Sequence, residues 1–376
     1  PRSMVTGDFA VKKRSILAGL ARVATLPVVL ALASASVAGA SADPLASGAP
    51  ITSLALRSPM VSIASQGARV VAVGPRGYIL FSSNGGKDWR QATVPVRADL
   101  TAVHLRDAHN GWAVGHDGVV LRTDNGGESW TRVLDGRSVL EILNRSYEAR
   151  AAAGDTVAAR VKGEIERLMA QSASPDVMPN PFLDVLFSDA SEGFVIGAFG
   201  LVLRTRDGGK SWEPWIERAE NDRRLHFYAA ATDGATLYFA GEQGLLRRLD
   251  KGADHFTTIE TPYNGTFFGV HAAPGLLLAY GLRGNAWASE DGGASWRKIE
   301  TGVEASIIAV LPAGGMRLIL VSQAGHVFST TDGGRTLAAL PVPRQGEVLA
   351  AALVGANDLA LTRHGGVNLL TLPAAR

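Results

Sequence analysis

The chain has 376 residues, 46% of them hydrophobic and 19% charged, a balance typical of folded domains and far from that of disordered chains. It contains no cysteine, which excludes disulfide scaffolds, cysteine-based zinc or iron–sulfur sites, cysteine nucleophiles and a cysteine-borne lipid anchor. The formal net charge is +2, and glycine is abundant, 43 residues or about 11% against roughly 7% in average proteins.

The first element is an address. Lys12, Lys13 and Arg14 precede an apolar, alanine-rich run from Ile16 to about Val37, broken by Arg22 and Pro27, and Ala40-Ser41-Ala42 supplies a small-residue cleavage site. Residues 1–42 are therefore expected to be a secretory signal peptide. A retained anchor is disfavoured, because the uninterrupted apolar stretch is shorter than the roughly 20 residues a span requires. These residues carry a net +4, which leaves −2 for the remainder, so the basic footprint of a nucleic-acid binder is missing. Of the 32 basic residues in that remainder, 27 are arginine, suited to carboxylates and stacking.

Residues 43–50 read as a linker, and ITSLALR (51–57) as a strand. A repeat then runs to the C-terminus. Clear copies are VAVGPRGYILFSSNGGKDW (71–89), WAVGHDGVVLRTDNGGESW (112–130), FVIGAFGLVLRTRDGGKSW (194–212) and LLAYGLRGNAWASEDGGASW (277–296). Weaker ones start at 238 and 319, and LALTRHGGVNLLTLP (359–373) keeps only the first half. One glycine recurs in every copy: Gly77, Gly118, Gly200, Gly244, Gly284, Gly325 and Gly365, with gaps of 41, 82, 44, 40, 41 and 40 residues. A period near 40 matches a four-stranded propeller blade. The gap of 82 holds an insertion at 137–181, so seven copies predict an all-β, seven-bladed β-propeller spanning 51–376. The last copy has three strands, and 51–57 is expected to supply its fourth and close the ring.

The insertion reads as two amphipathic helices, with Leu140, Leu143 and Tyr147 on one stripe and Val157, Val161, Ile165 and Leu168 on the other. Asp155 is expected to cap the second. A hairpin that buries both stripes is the plain expectation; an arm or lid that docks a partner is the sharper one.

The box Ser/Thr-x-Asp/Asn-x-Gly-x-Ser/Thr-Trp occurs at Ser82–Trp89, Thr123–Trp130, Thr205–Trp212 and Ser289–Trp296, with Asp88 as a departure and Thr330–Leu337 lacking the tryptophan. Asn84, Asn125, Asp207, Asp291 and Asp332 are expected to accept backbone N–H bonds within their turns, and Trp89, Trp130, Trp212 and Trp296 to pack on the sheets. These acids read as turn staples, with no catalytic or metal-binding role. No cofactor and no metal is expected: eight histidines are scattered, and the nearest group, His104, His109 and His116, lacks ligand spacing.

Tandem boxes with this G-x-x-G-x-I/V-L-R-T-x-D/N-G-G-x-S-W pattern resemble the photosystem II stability/assembly factor family of Asp-box (BNR-type) propellers. The resemblance covers most of 51–373 and departs from the compact phototroph pattern at 137–181. It implies a non-enzymatic, exported factor for assembly or stability of a membrane protein complex. It also implies a protein partner, in non-photosynthetic bacteria including RND-type exporters. The alternative is a sialidase-like or glycan-binding propeller, but the early Arg57-Ser58-Pro59 does not fit a sialidase motif. A partner is expected on the face of the G-x-x-G turns, at Arg76, His116, Asp117, Phe199, Glu242, Gln243, Arg283, Gln323, Arg363 and His364, with Arg223 and Arg224 on the neighbouring rim. Arginines and aromatics are the anchors, since these residues dominate binding hot spots.

Overall fold

Short apolar runs separated by glycine turns fold antiparallel, and each repeat does so here. A computed structural model describes residues 43–373, and the expected signal peptide lies outside them. Seven antiparallel sheets follow one another in chain order as a seven-bladed β-propeller. The innermost strands are Ser62–Gln66, Leu100–Leu105, Phe182–Phe187, Phe227–Thr232, Phe267–Ala273, Ile307–Pro312 and Ala350–Val354. Each packs beside the next and the last returns to the first, so the ring is closed. Polar side chains tie inner strands together: Ser65 Oγ donates to the Leu353 carbonyl of blade 7, and Thr101 Oγ1 to the Phe182 carbonyl of blade 3. The cores lie between blades. Among the described residues no helix is long and apolar enough to cross a membrane.

Six blades have four strands and blade 7 has three. Residues 51–57 do not supply the fourth, which corrects the expected closure. The stretch bends at Thr52, whose hydroxyl accepts the Leu54 N–H, and Ala55–Arg57 forms a short 3-10 helix. Ala55 is buried in the core that blades 1 and 7 share, and the short helix packs beside the last strand of blade 7. The segment thus covers the last blade by packing, without a ladder. Residues 43–50 also depart from the linker expectation. Leu45 is buried, the Ala49 N–H donates to the Val94 carbonyl at 3.0 Å, and Asp43 pairs with Arg137 at 2.7 Å.

The five boxes share one geometry. In blade 3, Thr205 Oγ1 donates to Asp207 Oδ1 at 2.9 Å and accepts the Gly209 N–H, while Asp207 accepts the Ser211 N–H at 2.9 Å. Asn84, Asn125, Asp291 and Asp332 accept the equivalent N–H of Asp88, Ser129, Ser295 and Thr336. At the departing position, Asn84 Nδ2 donates to Asp88 Oδ2, so the exchanged residue types keep the bond. Hydrogen bonds from Ser211 and Ser295 hold the carboxyls of Asp207 and Asp291 down at about 2. Trp89, Trp130 and Trp212 return their indole N–H to the box glycine carbonyl, whereas Trp296 reaches Glu260 in the preceding connection.

The insertion forms α1 (Gly136–Ala152) and α2 (Thr156–Ala170). Asp135 caps α1 in a capping box with Ser138, and Asp155 caps α2 through the N–H groups of Val157 and Ala158. The α2 stripe is Ala158, Val161, Ile165 and Met169, and Val157 is exposed. Both stripes are buried in one core with blades 2 and 3, so neither is left free to enter a partner's groove. A polar seam fixes the hairpin to the connection after blade 3. Tyr147 Oη donates to Glu217 at 2.6 Å, Arg150 pairs with Glu217 and Asp155, and Arg160 reaches Asp222 at 3.2 Å. Tyr147 is fully buried and its Glu217 partner nearly so. Tyr147→Phe is therefore expected to lower stability by about 1.5–3 kcal/mol, as for a buried hydrogen bond to a charged group. A urea titration whose midpoint matches the unmodified protein contradicts this.

Candidate ligand-binding face

The box turns stand beside the first hairpin turns of their blades: the Gly85, Gly126 and Gly208 N–H groups donate to Ala68, His109 and Ser191. The G-x-x-G turns occupy the opposite face, each against a connection between blades. Two glycines show why the motif needs them. A Cβ at Gly241 would lie 2.0 Å from the His226 carbonyl oxygen, and one at Gly77, whose φ is +71°, would lie 2.1 Å from that of Val96. Backbone packing of turn on connection thus imposes both ends of the motif.

The residue before the second glycine has no such constraint, yet it is conformationally expensive. Arg76, Asp117, Phe199, Gln243 and Arg283 all sit at φ between 52° and 58°. The left-handed region costs an L-residue about 1–2 kcal/mol, and glycine or asparagine adopts it more easily. Large or polar side chains of four types occupy these five positions instead. Strained backbone held by a rigid surround marks functional positions. Arg76, His116, Phe199, Gln243, Arg283, Gln323 and His364 are exposed, Asp117, Glu242 and Arg363 half-buried. Among the described residues Arg76, Arg283 and Arg363 form no ion pair with an acid.

Local partners order the rest of the ring. The Arg76 N–H donates to Asp99 at 2.7 Å. Burial beside the start of α1 raises the Asp117 carboxyl above the usual range. Glu242 accepts the His226 N–H at 2.8 Å, and Arg223 donates to Gln243. Glu347 accepts from Gln323 at 3.0 Å and lies 3.2 Å from His364, linking blades 6 and 7. Arg224 is the exception. Its guanidinium turns toward α2 and pairs with Glu164 at 2.8 Å, so it braces the hairpin and leaves the rim to Arg223.

Sequence reasoning missed the centre of this face. The axial channel opens here as a cavity of about 420 Å³. Five inner strands carry a bulge at its mouth, at Thr101, Leu183, Tyr228, Phe268 and Ile308. A bulge re-aims one side chain, and these five line the cavity. Phe199 meets His226 edge-on at 4.7 Å, His226 meets Tyr228 at 6.0 Å, and Tyr228 meets Phe268 at 5.8 Å, an aromatic path from rim to mouth. A single extra residue in a strand leaves no mark in composition, which is why the path was not legible.

Asp184 also lines the mouth. Its carboxylate accepts the Val185 and Ala230 N–H groups at 2.8 Å each, and it touches channel solvent while walled in by protein. Burial raises it to about 7, against the lowering effect of those two bonds. Burial likewise pushes the neighbouring Tyr280 up to about 12. A carboxyl with a raised pKa favours the protonated fold, so its contribution is fully present below the unfolded value near 4 and declines as pH rises toward 7. Asp184→Asn is expected to unfold at higher denaturant than the unmodified protein at pH 8, and the difference should shrink at pH 5. A pH-independent difference rules out this origin.

A family model described as photosynthesis system II assembly factor Ycf48 matches residues 54–138 and 174–336. The chain belongs to this family. The gap in the match, 139–173, falls on the helical hairpin, which is an addition to the Ycf48 pattern. The photosystem II assembly lipoprotein Ycf48 of Synechococcus sp. CC9902 is 26% identical over 184 residues, 46% of this chain and 54% of that protein. That of Prochlorococcus marinus MIT 9313 is 27% identical over 182 residues, 45% and 53%. The chain thus spans about half the length of these curated relatives. Among solved structures, Ycf48 from Cyanidioschyzon merolae superposes with a TM-score of 0.59 at 14% identity, covering 87% of this chain and 99% of that one. Ycf48 bound to a D1 peptide gives 0.58 at 13%, covering 85% and 94%. A GH74 xyloglucanase from Xanthomonas campestris gives 0.53 at 16%, covering 75% and 47%. At these identities the structural likeness shows the propeller fold alone.

Proposed function

We propose that this protein is a non-enzymatic, exported assembly or stability factor that binds an extramembrane segment of a membrane protein complex on its G-x-x-G face. The observation that carries the reading is the ring of turn tips, five of them strained, with Arg76, Arg283 and Arg363 free of acidic partners among the described residues and Phe199 exposed on the same ring. Membership of the Ycf48 family gives the partner class, and a relative with a D1 peptide bound supports a peptide segment as the thing held. Unpaired arginines favour an anionic stretch of that segment. The hairpin braces the rim near Arg223. Because it lies outside the family match, it belongs to the features that adapt this chain to its own complex, an RND-type exporter in a non-photosynthetic host or a photosystem in a phototroph.

The test is crosslinking and affinity capture from gently solubilised membranes of the native host. The unmodified protein should recover a membrane protein, and a chain lacking 138–170 should recover less of it. Recovery of sugars or soluble proteins alone, with no membrane protein, overturns the reading.

A further inference from the structure

The seven inner strands can be aligned through their register. The residue opposite the one that immediately precedes the G-x-x-G turn or its equivalent is Ser62, Ala102, Ala229, Gly269, Ala309 and Ala351 in six blades. All six are small, as a narrow channel demands. In blade 3 the same position, opposite Ile196, is Asp184. Ring construction therefore does not call for a carboxylate here. Among the described residues no cation pairs with it, and Tyr228 and Tyr280 are the other titratable groups lining the cavity. One level above it, the bulges place Leu183, Tyr228, Phe268 and Ile308 around the opening.

We propose that the axial mouth is a receptor for a single primary-ammonium side chain, a lysine presented by a partner segment, with Asp184 as the counter-ion and the Tyr228 and Phe268 rings around its stem. A carboxylate that no cation pairs among the described residues, beneath an opening ringed by Leu183, Tyr228, Phe268 and Ile308, is complementary to one cation. Aromatic rings add attraction for an ammonium group passing them. A lysine stem buries its methylenes along apolar walls while its head reaches a charge. Each Asp184 oxygen already accepts one backbone N–H, which leaves one lone pair on each for a donor entering from the channel. A compact head with three rotatable donors suits what remains. The inference stands on the channel alone and does not depend on the proposed membrane partner.

The experiment uses the purified protein at pH 8 and low salt, with N-acetyl-lysine N-methylamide as the probe and the norleucine analogue as its uncharged counterpart, followed by NMR titration. The lysine probe should bind at least about tenfold more tightly than the norleucine probe, the scale of one charge-assisted contact. Asp184→Asn should abolish that preference. Phe268→Ala, at a half-exposed position that tolerates truncation, should weaken the lysine probe several-fold and leave the preference. Circular dichroism establishes that both variants are folded. Equal binding of the two probes, a preference retained in Asp184→Asn, or no saturable binding of the lysine probe overturns the proposal.

Discussion

Trp112→Ala should be among the most damaging single changes in the molecule, lowering stability by about 3–5 kcal/mol. Trp112 stands on the second strand of blade 2 at 1% exposure. It stacks on Phe187 of blade 3 with ring centroids 3.5 Å apart and planes 11° from parallel. Phe187 in turn meets Trp212, the box tryptophan of blade 3, edge-on at 6.2 Å. Such pairs add about 0.5–1.5 kcal/mol beyond area. The same core runs on into Leu143, Tyr147, Val161 and Ile165 of the hairpin. This stack thus joins blades 2 and 3, where the repeat is interrupted in sequence. Repeat architectures depend on interfaces between neighbours, so the loss falls on a junction and not on one blade. Against a typical total of 5–15 kcal/mol, the change is a large fraction. Trp296→Ala is the control, because Trp296 is half-exposed and its indole bonds a single carbonyl. It should cost well under half as much. Guanidinium unfolding of the two variants measures the contrast, and a Trp112→Ala midpoint close to that of Trp296→Ala defeats the argument.

What was legible in the sequence is what local chemistry repeats. The box turn is closed by its own residues, as when Thr205 and Asp207 satisfy the N–H groups of Gly209 and Ser211, so its signature appears wherever the turn appears. The glycine spacing reports close packing of turn on connection in six blades, whereas a Cβ at Gly365 of blade 7 would meet nothing within 4 Å; the shared period made the count of seven readable. Closure was not, because the fate of 51–57 depends on a distant surface. The missing fourth strand of the last copy suggested a strand here, but Thr52 turns the chain and Ala55 is buried in the core shared by blades 7 and 1. The α2 stripe was misphased at its ends: the cap at Asp155 puts Ala158 inward and Val157 outward, and a small alanine carries little signal. At the candidate face, the turn tips could be named from spacing, but their strain could not. Arg224 read as a rim residue because its partner, Glu164, lies 60 residues away on the hairpin. Asp184 was visible only once register aligned the inner strands.

The second large effect concerns the rim, and its sign differs between stability and binding. Arg76 and Arg283 sit in the left-handed region, which asparagine tolerates better than arginine. Arg76→Asn and Arg283→Asn are thus expected to leave stability unchanged or raise it by roughly 0.5 kcal/mol, a share of the relieved strain. The same pair should weaken capture of the partner sharply. Arginine hot spots contribute about 2 kcal/mol or more each, so the double variant should lose on the order of 100-fold in affinity even if the two are not fully additive. Residual binding should depend less on salt, since exposed charges act through a screened field. Asparagine substitution at exposed, unstrained Arg90 of blade 1, away from this face, should do neither. This pattern separates a functional rim from a decorative one. If the tips were only solvated turns, asparagine would still be neutral or stabilising, but capture would be unchanged. A double variant that retains full, salt-sensitive capture would move the binding surface off these arginines and leave the strain at Arg76 and Arg283 without a function.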